Sequence, residues 1–173
     1  MKSTRGFTVV EIIVVCVAIG ILASIGIIGW NTTLERGRDR TREAEHKEWI
    51  ARFETYRNRN SVYPNSASAT NNNTALTGRY CLGATFPSNQ CGGGAMTATA
   101  SNNRVMQELA KVGTLPEYPH TRVDGYAGPW ADYSNANYIR VYQVYEGSCP
   151  SEATRNTSIT GAIVCYIDLD KNL

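Results

Sequence analysis

A single carboxylate lies within the most apolar part of this 173-residue chain. Glu11 is followed by residues 12–30, a stretch without a charged side chain. An ionised group near the centre of a membrane-spanning helix costs about 2.5–3.5 kcal/mol, so such a residue usually has a function and a charged partner. We therefore expect Glu11 to form an ion pair with an amine. The alternative is an isolated buried glutamate that simply takes up a proton.

Cysteines are the second set of residues with predictable chemistry. Cys16 lies in the apolar stretch, and four more follow it. An even set is typical of an exported, oxidising compartment. The four allow three connectivities, and sequence proximity favours Cys81 with Cys91 and Cys149 with Cys165, since each pair brackets a turn-rich segment. Free thiols or a metal site are the alternatives, but the spacings include no C-x-x-C and no histidine is close in sequence, so zinc is not expected.

Motifs of catalysis are missing from the sequence, which has no H-E-x-x-H, no G-x-S-x-G and no P-loop. His46 and His120 are isolated, and we expect His46 on a helix surface and His120 in a loop. Asp168, Asp170 and Asn172 have the spacing that begins a calcium loop, but no later ligands follow, so a solvated strand end is the simpler interpretation. We therefore expect no enzymatic activity, no cofactor and no bound metal.

The charges do not indicate a nucleic-acid partner. The chain has 17 basic and 15 acidic residues, and loss of Lys2 and Arg5 with an N-terminal segment would leave equal numbers. Without a basic patch, binding to nucleic acid is not the expected function.

One long helix is predicted to position Glu11. Residues 7–59 contain no proline, and residues 12–30 would rise about 28 Å, close to the roughly 30 Å thickness of the hydrocarbon core of a bilayer. Further along, apolar side chains recur at helical spacing and predict a stripe that carries a globular head, with Trp49, Ile50 and Phe53 central to the packing. The full stripe is Ala44, Trp49, Ile50, Phe53 and Tyr56. Two i,i+4 pairs are expected on a solvated or subunit-facing surface of the helix: Glu43 with Lys47, and Glu48 with Arg52.

After residue 60, the pattern predicts a small antiparallel sheet. Residues 64–78 read as a surface loop and residues 103–112 as a short helix. Residues 138–145 and 162–169 are rich in Val, Ile and Tyr and read as strands. The predicted fold class is α+β, with a long N-terminal helix packed on a small antiparallel sheet.

The N-terminal residues resemble the type IV pilin and pseudopilin family. The resemblance rests on a short basic leader with Lys2 and Arg5, on Gly6 as its last residue, on Phe7 as the new N-terminus, and on Glu11 as the fifth mature residue. An ordinary signal peptide would have a small-residue cleavage site after its apolar core and no reason to carry Glu11. A cleaved signal or a plain anchor is the alternative.

The resemblance implies a set of roles for these residues. A prepilin peptidase would cleave after Gly6, Phe7 would be N-methylated, and Glu11 would meet the N-terminal amine of a neighbouring subunit during assembly. It also implies the pilin fold, in which the apolar half of the helix crosses the membrane before assembly. One departure is Ile28, where the family often has proline.

The expected organisation has four parts: a leader (1–6), a transmembrane or filament-core half of the helix (7–30), an amphipathic half (31–60) and a globular head with a variable loop and a C-terminal disulfide loop (61–173). The expected function is a structural subunit of a type IV pilus that serves adhesion, motility or DNA uptake. Its partners would be copies of itself in a helical filament, the prepilin peptidase, and the assembly platform and ATPase.

The expected location is the bacterial cytoplasmic or inner membrane for the precursor, with its head outside, and then the extracellular filament. Four arginines after the apolar stretch would favour the opposite orientation by the positive-inside rule, whereas the leader and the cysteines favour the outside. A pseudopilin or minor pilin of a type II secretion or competence system is the alternative function. An anchored binding module is a third.

Overall fold

The computed structural model describes residues 6, 8–64, 76–93, 98–99 and 104–171, with the backbone alone at 25–29 and 98–99. The chain divides into two compact units, which are described separately: an N-terminal unit, Met1–Gly37, and a C-terminal unit, Arg38–Leu173. Except for Gly6, the predicted leader with Lys2 and Arg5 lies outside the described residues. So do Phe7, Asn172 and most of the loop predicted at 64–78.

A single helix, α1, runs over Val9–Asn60 and confirms the prediction of a long helix over 7–59. Its last turn carries Arg57 and Arg59, whose positive charges suit the negative end of the helix dipole. The helix ends at Ser61, which adopts a positive φ of 62° while its N–H donates to the Arg57 carbonyl at 2.7 Å.

Membrane crossing by residues 7–30 is not confirmed. Within the described ranges, no helix is long and apolar enough to cross a membrane.

The C-terminal unit confirms the α+β class and the antiparallel sheet. Its five-stranded sheet has the order β1-β4-β5-β7-β6, and a separate two-stranded sheet pairs β2 with β3. A short helix, α2, lies over Arg104–Ala110, inside the range predicted for it. The strands are β1 Arg79–Cys81, β2 Gln90–Cys91, β3 Ala98–Thr99, β4 Trp130–Asp132, β5 Tyr138–Tyr145, β6 Thr154–Arg155 and β7 Ile163–Asp170.

The two longest strands described, β5 and β7, are the two that the sequence predicts. β5 has the predicted bounds, and β7 is shifted by one residue from the predicted 162–169. The strands pair along their whole length, from Tyr138 opposite Asp170 to Tyr145 opposite Ile163. Because side chains alternate along a strand, these two strands supply both faces of the sheet with apolar residues.

Each face of the sheet has its own core. On one face, Ile139 and Val141 of β5 join the buried side chains of α1 and α2. On the other, Trp130, Tyr142 and Val164 form a second buried cluster with Cys81 and Cys91. The sheet is therefore a central layer, and α1 covers only one side of it.

Candidate assembly surface

The first turn of α1 contains a reciprocal hydrogen-bonded pair, Thr8 and Glu11. The Oε2 atom of Glu11 accepts hydrogen bonds from the backbone N–H and from the hydroxyl of Thr8, each at 2.8 Å. The backbone N–H of Glu11 donates to the Thr8 hydroxyl oxygen at 3.3 Å. This arrangement is a capping box, in which two otherwise unpaired N–H groups at a helix start are satisfied. Glu11 therefore has a structural role within its own chain, separate from any pairing with a second subunit.

Beyond this turn, the N-terminal unit exposes large apolar side chains. The exposed fraction is 70% at Val10, 69% at Leu22 and 66% at Trp30. Apolar residues occupy all sides of this part of α1, and a helix of that kind is normally buried in a larger protein, an assembly or a membrane. Removal of this surface from water would contribute about 25 cal/mol per Å². The arrangement therefore favours association.

Further along α1, the apolar side chains are buried within the C-terminal unit. Trp49 and Phe53 are fully buried and Tyr56 nearly so, while Ile50 packs partly buried at the edge of the same core. The spacing of i, i+4 and i+7 places the first three on one face. The inclusion of Ala44 in this stripe was wrong, because Ala44 is exposed. It lies five residues before Trp49, which puts it about 140° away around the helix.

One of the two predicted charge pairs on α1 is present. The Nζ atom of Lys47 lies 2.6 Å from a carboxylate oxygen of Glu43 and 2.6 Å from one of Glu152. The prediction that Glu48 pairs with Arg52 was wrong. Glu48 instead accepts a hydrogen bond of 2.8 Å from the hydroxyl of Tyr118, which comes from a different part of the chain.

Asp39 ties the start of this part of α1 to the residues that follow β5. Its carboxylate accepts hydrogen bonds from the backbone N–H groups of Glu146 and Gly147, at 2.8 and 2.7 Å. Arg38 and Arg42 form ion pairs with Glu146 at 2.7 and 2.9 Å. Polar contacts therefore hold α1 at one end of β5, and the apolar stripe holds it further along.

Four buried polar side chains link α1 to the sheet. We call them the acid–histidine cluster: Glu45, His46, His120 and Gln143. The Gln143 amide donates to Glu45 Oε2 at 2.9 Å, and Nδ1 of His120 lies 3.3 Å from Glu45 Oε1. Each of the four residues is less than 10% exposed. Burial is costly for the ionised form of each titratable group in the cluster.

His46 was expected on the helix surface, and that expectation was wrong. Its ring is 2% exposed, with Nε2 2.9 Å from the carbonyl of Val141 and Nδ1 3.2 Å from the hydroxyl of Tyr145. Both partners belong to β5. His120 does lie in a loop, but it is buried, and its ring stacks on Phe86 at 3.9 Å.

Burial shifts the pKa of each titratable member of the cluster toward its neutral form. It raises the pKa of Glu45 to about 8, although the hydrogen bond from Gln143 acts in the opposite direction. It lowers the pKa of His46 and of His120 to about 4. Burial therefore favours the neutral form of each group, so we expect the stability of this packing to depend on pH.

The structure pairs the cysteines as their sequence proximity favours. Cys81 is bonded to Cys91 and Cys149 to Cys165, while Cys16 in the N-terminal unit is a free thiol. On the loop-entropy model, closure of a loop of about 15 residues contributes roughly 3 kcal/mol. The second disulfide joins the segment after β5 to β7 and so restrains the loop that carries Glu152.

The described residues contain no group of three or more His, Cys, Asp or Glu side chains placed to bind a metal ion. Asp168, which the sequence made a candidate calcium ligand, accepts a hydrogen bond of 2.9 Å from the guanidinium of Arg140. Its carboxylate therefore belongs to a cross-strand ion pair in the sheet.

Comparison with protein-family models, with curated proteins and with solved structures finds no match for this chain. The residues of the chain itself therefore provide the evidence for its function.

Two features of the structure were not predicted, although the sequence carries a signal for each. Thr8 and Glu11 follow the S/T-x-x-E pattern of a capping box, placed directly before an apolar run. Glu45 and His46 lie four and three residues before Trp49, which puts them on the buried face of α1. Because these side chains are polar, residue type alone did not indicate that they are buried.

Proposed function

We propose that the chain is a structural subunit of a type IV pilus, which polymerises through the apolar half of α1 and has no enzymatic activity. In this proposal, the precursor is held in the cytoplasmic or inner membrane by residues 7–30. A prepilin peptidase cleaves after Gly6, Phe7 is methylated, and an assembly platform and its ATPase add the subunit to a surface filament.

One observation carries the proposal: the two parts of α1 place their apolar side chains in opposite environments. Leu22 is 69% exposed, whereas Trp49 and Phe53 are fully buried by the remainder of the C-terminal unit. The apolar part of α1 thus presents a surface suited to many neighbours, and the amphipathic part joins one folded unit to each copy. That division is what a polymer with helices inside and folded units outside requires.

The sequence supplies the second line of support. Cleavage after Gly6 would create a positively charged amine one helical turn before Glu11. A carboxylate in an apolar environment is tolerated when an opposite charge is near, so the amine of an adjacent subunit is a chemically suitable partner. The exported location in this proposal also suits the two disulfides of the C-terminal unit.

Surface fibres sheared from cells that express the chain test this proposal. Electron microscopy and mass spectrometry of the fibres are expected to identify this chain as the main component. Its mass should correspond to loss of residues 1–6 and addition of one methyl group at Phe7. Retention of the first six residues in surface material would exclude the processing step. Trace amounts confined to fibre ends would instead favour a minor pilin, and complete absence from fibres would contradict the proposal.

A further inference from the structure

The C-terminal unit has an open cavity of about 190 Å³ where β4 turns into β5. Among the described residues, each side chain that lines it carries a hydrogen-bonding group: Asp132, Ser134, Asn135, Arg140 and Tyr142. Pockets for drug-sized ligands typically occupy about 300–1,000 Å³, so this cavity suits a smaller and strongly polar group.

Four charged side chains around the cavity form two ion pairs. Strand register places Asp132 opposite Arg140 and, on its other side, opposite Arg79. The guanidinium of Arg79 donates to Asp132 at 3.0 Å, and that of Arg140 donates to Asp168 at 2.9 Å. The charges of these two pairs largely cancel, and Lys171, whose Nζ donates to the carbonyl of Asn135 at 2.5 Å, adds one positive charge nearby. A single ammonium near the surface is screened by salt, so the cavity has no strong field that would exclude a ligand without net charge.

The groups that line the cavity are held in place before any ligand arrives. Arg140 also donates to the hydroxyl of Tyr138 at 2.9 Å, and its guanidinium lies 4.5 Å from the ring centre of Tyr166. The ring of Tyr142 stacks on that of Trp130, with centroids 5.0 Å apart and planes 11° from parallel. Binding to such fixed groups loses little side-chain entropy.

Donors and acceptors are both available at the cavity. The Oδ1 atom of Asn135 accepts the backbone N–H of Asn137 at 2.8 Å, which orients the side chain and leaves its amide donor for a ligand. One carboxylate oxygen of Asp132 accepts a hydrogen bond from Arg79 and the other accepts one from the N–H of Ser134. A carboxylate oxygen can accept two hydrogen bonds. An adjacent amide donor and carboxylate acceptor match vicinal hydroxyl groups, which both donate and accept.

We propose that this cavity binds one neutral sugar residue of a glycan, with Asn135 donating to a sugar hydroxyl and Asp132 accepting from one. The inference goes beyond polymerisation and concerns the C-terminal unit alone. It therefore holds or fails independently of filament assembly.

Titration of the purified full-length chain with small glycosides tests the site. The protein is kept in a polyoxyethylene detergent, because alkyl glycoside detergents would present a competing sugar. Saturation-transfer NMR and calorimetry are carried out with methyl glycosides of glucose, galactose, mannose and N-acetylglucosamine, and with glucuronate and glycine as charged and zwitterionic comparators. At least one neutral glycoside is expected to bind, and to bind more tightly than either comparator.

Two variants of Asn135 localise the binding. Asn135→Asp keeps the oxygen that accepts the Asn137 N–H and removes the amide donor, and Asn135→Ala removes both. Each is expected to weaken binding about five- to tenfold, as loss of one hydrogen bond would. Asn156→Ala is the matched control, since Asn156 accepts the N–H of Ser158 at 3.0 Å in a similar turn away from the cavity. It should bind like the original chain.

Three results would overturn the proposal. The first is absence of binding by every neutral glycoside at about 20 mM, a concentration that detects even millimolar affinity. The second is tighter binding of glucuronate or glycine than of any neutral sugar. The third is unchanged affinity in both Asn135 variants.

Discussion

Two parts of one helix differ in what surrounds them, although both are regular α-helix. In the N-terminal unit, apolar residues occupy all sides of α1, and Leu22 and Trp30 are mostly exposed. In the C-terminal unit, apolar residues occupy one face, where Trp49 and Phe53 are fully buried. A regular helical backbone therefore says little about the role of a helix. When apolar side chains lie on one face, the folded chain itself can bury them. When they lie on all sides, burial requires other molecules as well.

The largest predicted effect concerns removal of a large apolar side chain from each part. Trp49→Ala should lower the free energy of unfolding of the C-terminal unit by about 3–5 kcal/mol, because it leaves a cavity in a packed core. Leu22→Ala, at a 69% exposed position, should change it by less than about 0.5 kcal/mol. Urea denaturation monitored by near-ultraviolet circular dichroism would measure both.

An assembly assay should show an effect of Leu22→Ala that the stability measurement does not. Leu22→Ala is expected to reduce the yield of sheared fibres while its folded unit remains intact. Equal loss of stability in the two variants would break the contrast between the two parts of α1, since it would mean that the N-terminal surface is already part of a monomer core.

A smaller effect is predicted for pH, through the acid–histidine cluster. The folded state raises the pKa of Glu45 to about 8, so it holds a proton that the unfolded chain releases, and stability should fall as pH rises toward 8. The pKa of His46 and of His120 is lowered to about 4, so stability should also fall as pH decreases from about 6.5 toward 4. Maximum stability is therefore expected near pH 6.5, with a loss of about 1–2 kcal/mol by pH 8.

Glu45→Gln tests the alkaline side of this profile. The variant should remove the decline between pH 6.5 and 8 and make the acidic decline steeper, because Glu45 opposes the two histidines above about pH 4.5. Glu48→Gln is the matched control one turn away on the exposed side, and its profile should resemble that of the original chain. Urea midpoints measured from pH 4 to 8.5 would show the difference, and an unchanged alkaline decline in Glu45→Gln would contradict the role of the cluster.

The long elements of the fold could be predicted because their signals are repeated over many residues. The absence of proline and the helical spacing of Trp49, Phe53 and Tyr56 defined α1, and the Val-, Ile- and Tyr-rich run of β5 defined the central strand. β4, by contrast, has only three residues, Trp130–Asp132, all buried, and so carries no alternation that could identify it.

The site was less predictable, because residue type and position gave conflicting signals. His46 is polar, which suggested the surface, but its place three residues before Trp49 puts it in the core. Its hydrogen-bonding partners, in β5, are far away in sequence, and no local pattern indicates them. Glu11 is the opposite case. We expected it to interact with a second chain, but within the single chain it contacts Thr8, one turn earlier.

Glu11 therefore has two candidate roles, as a helix cap with Thr8 and as the partner of an amine in a neighbouring subunit. Substitutions can separate them. Glu11→Gln keeps an acceptor for Thr8 but removes the charge, whereas Thr8→Val removes the hydroxyl and keeps the charge. Glu35→Gln serves as the control for loss of a carboxylate outside the apolar stretch. Glu11→Ala removes both the hydrogen-bond acceptor and the charge, so we expect it to give the lowest fibre yield of the four variants.

The yield of surface fibres from these four variants, normalised to membrane-inserted precursor, tests the assembly role most directly. If Glu11 pairs with the amine of a neighbouring subunit, Glu11→Gln should reduce fibre yield at least about tenfold, as expected when one partner of a buried charge pair is removed. Thr8→Val and Glu35→Gln should retain most of the yield. Normal fibres from Glu11→Gln, together with their loss in Thr8→Val, would contradict the charge pair and leave Glu11 with the role of a helix cap.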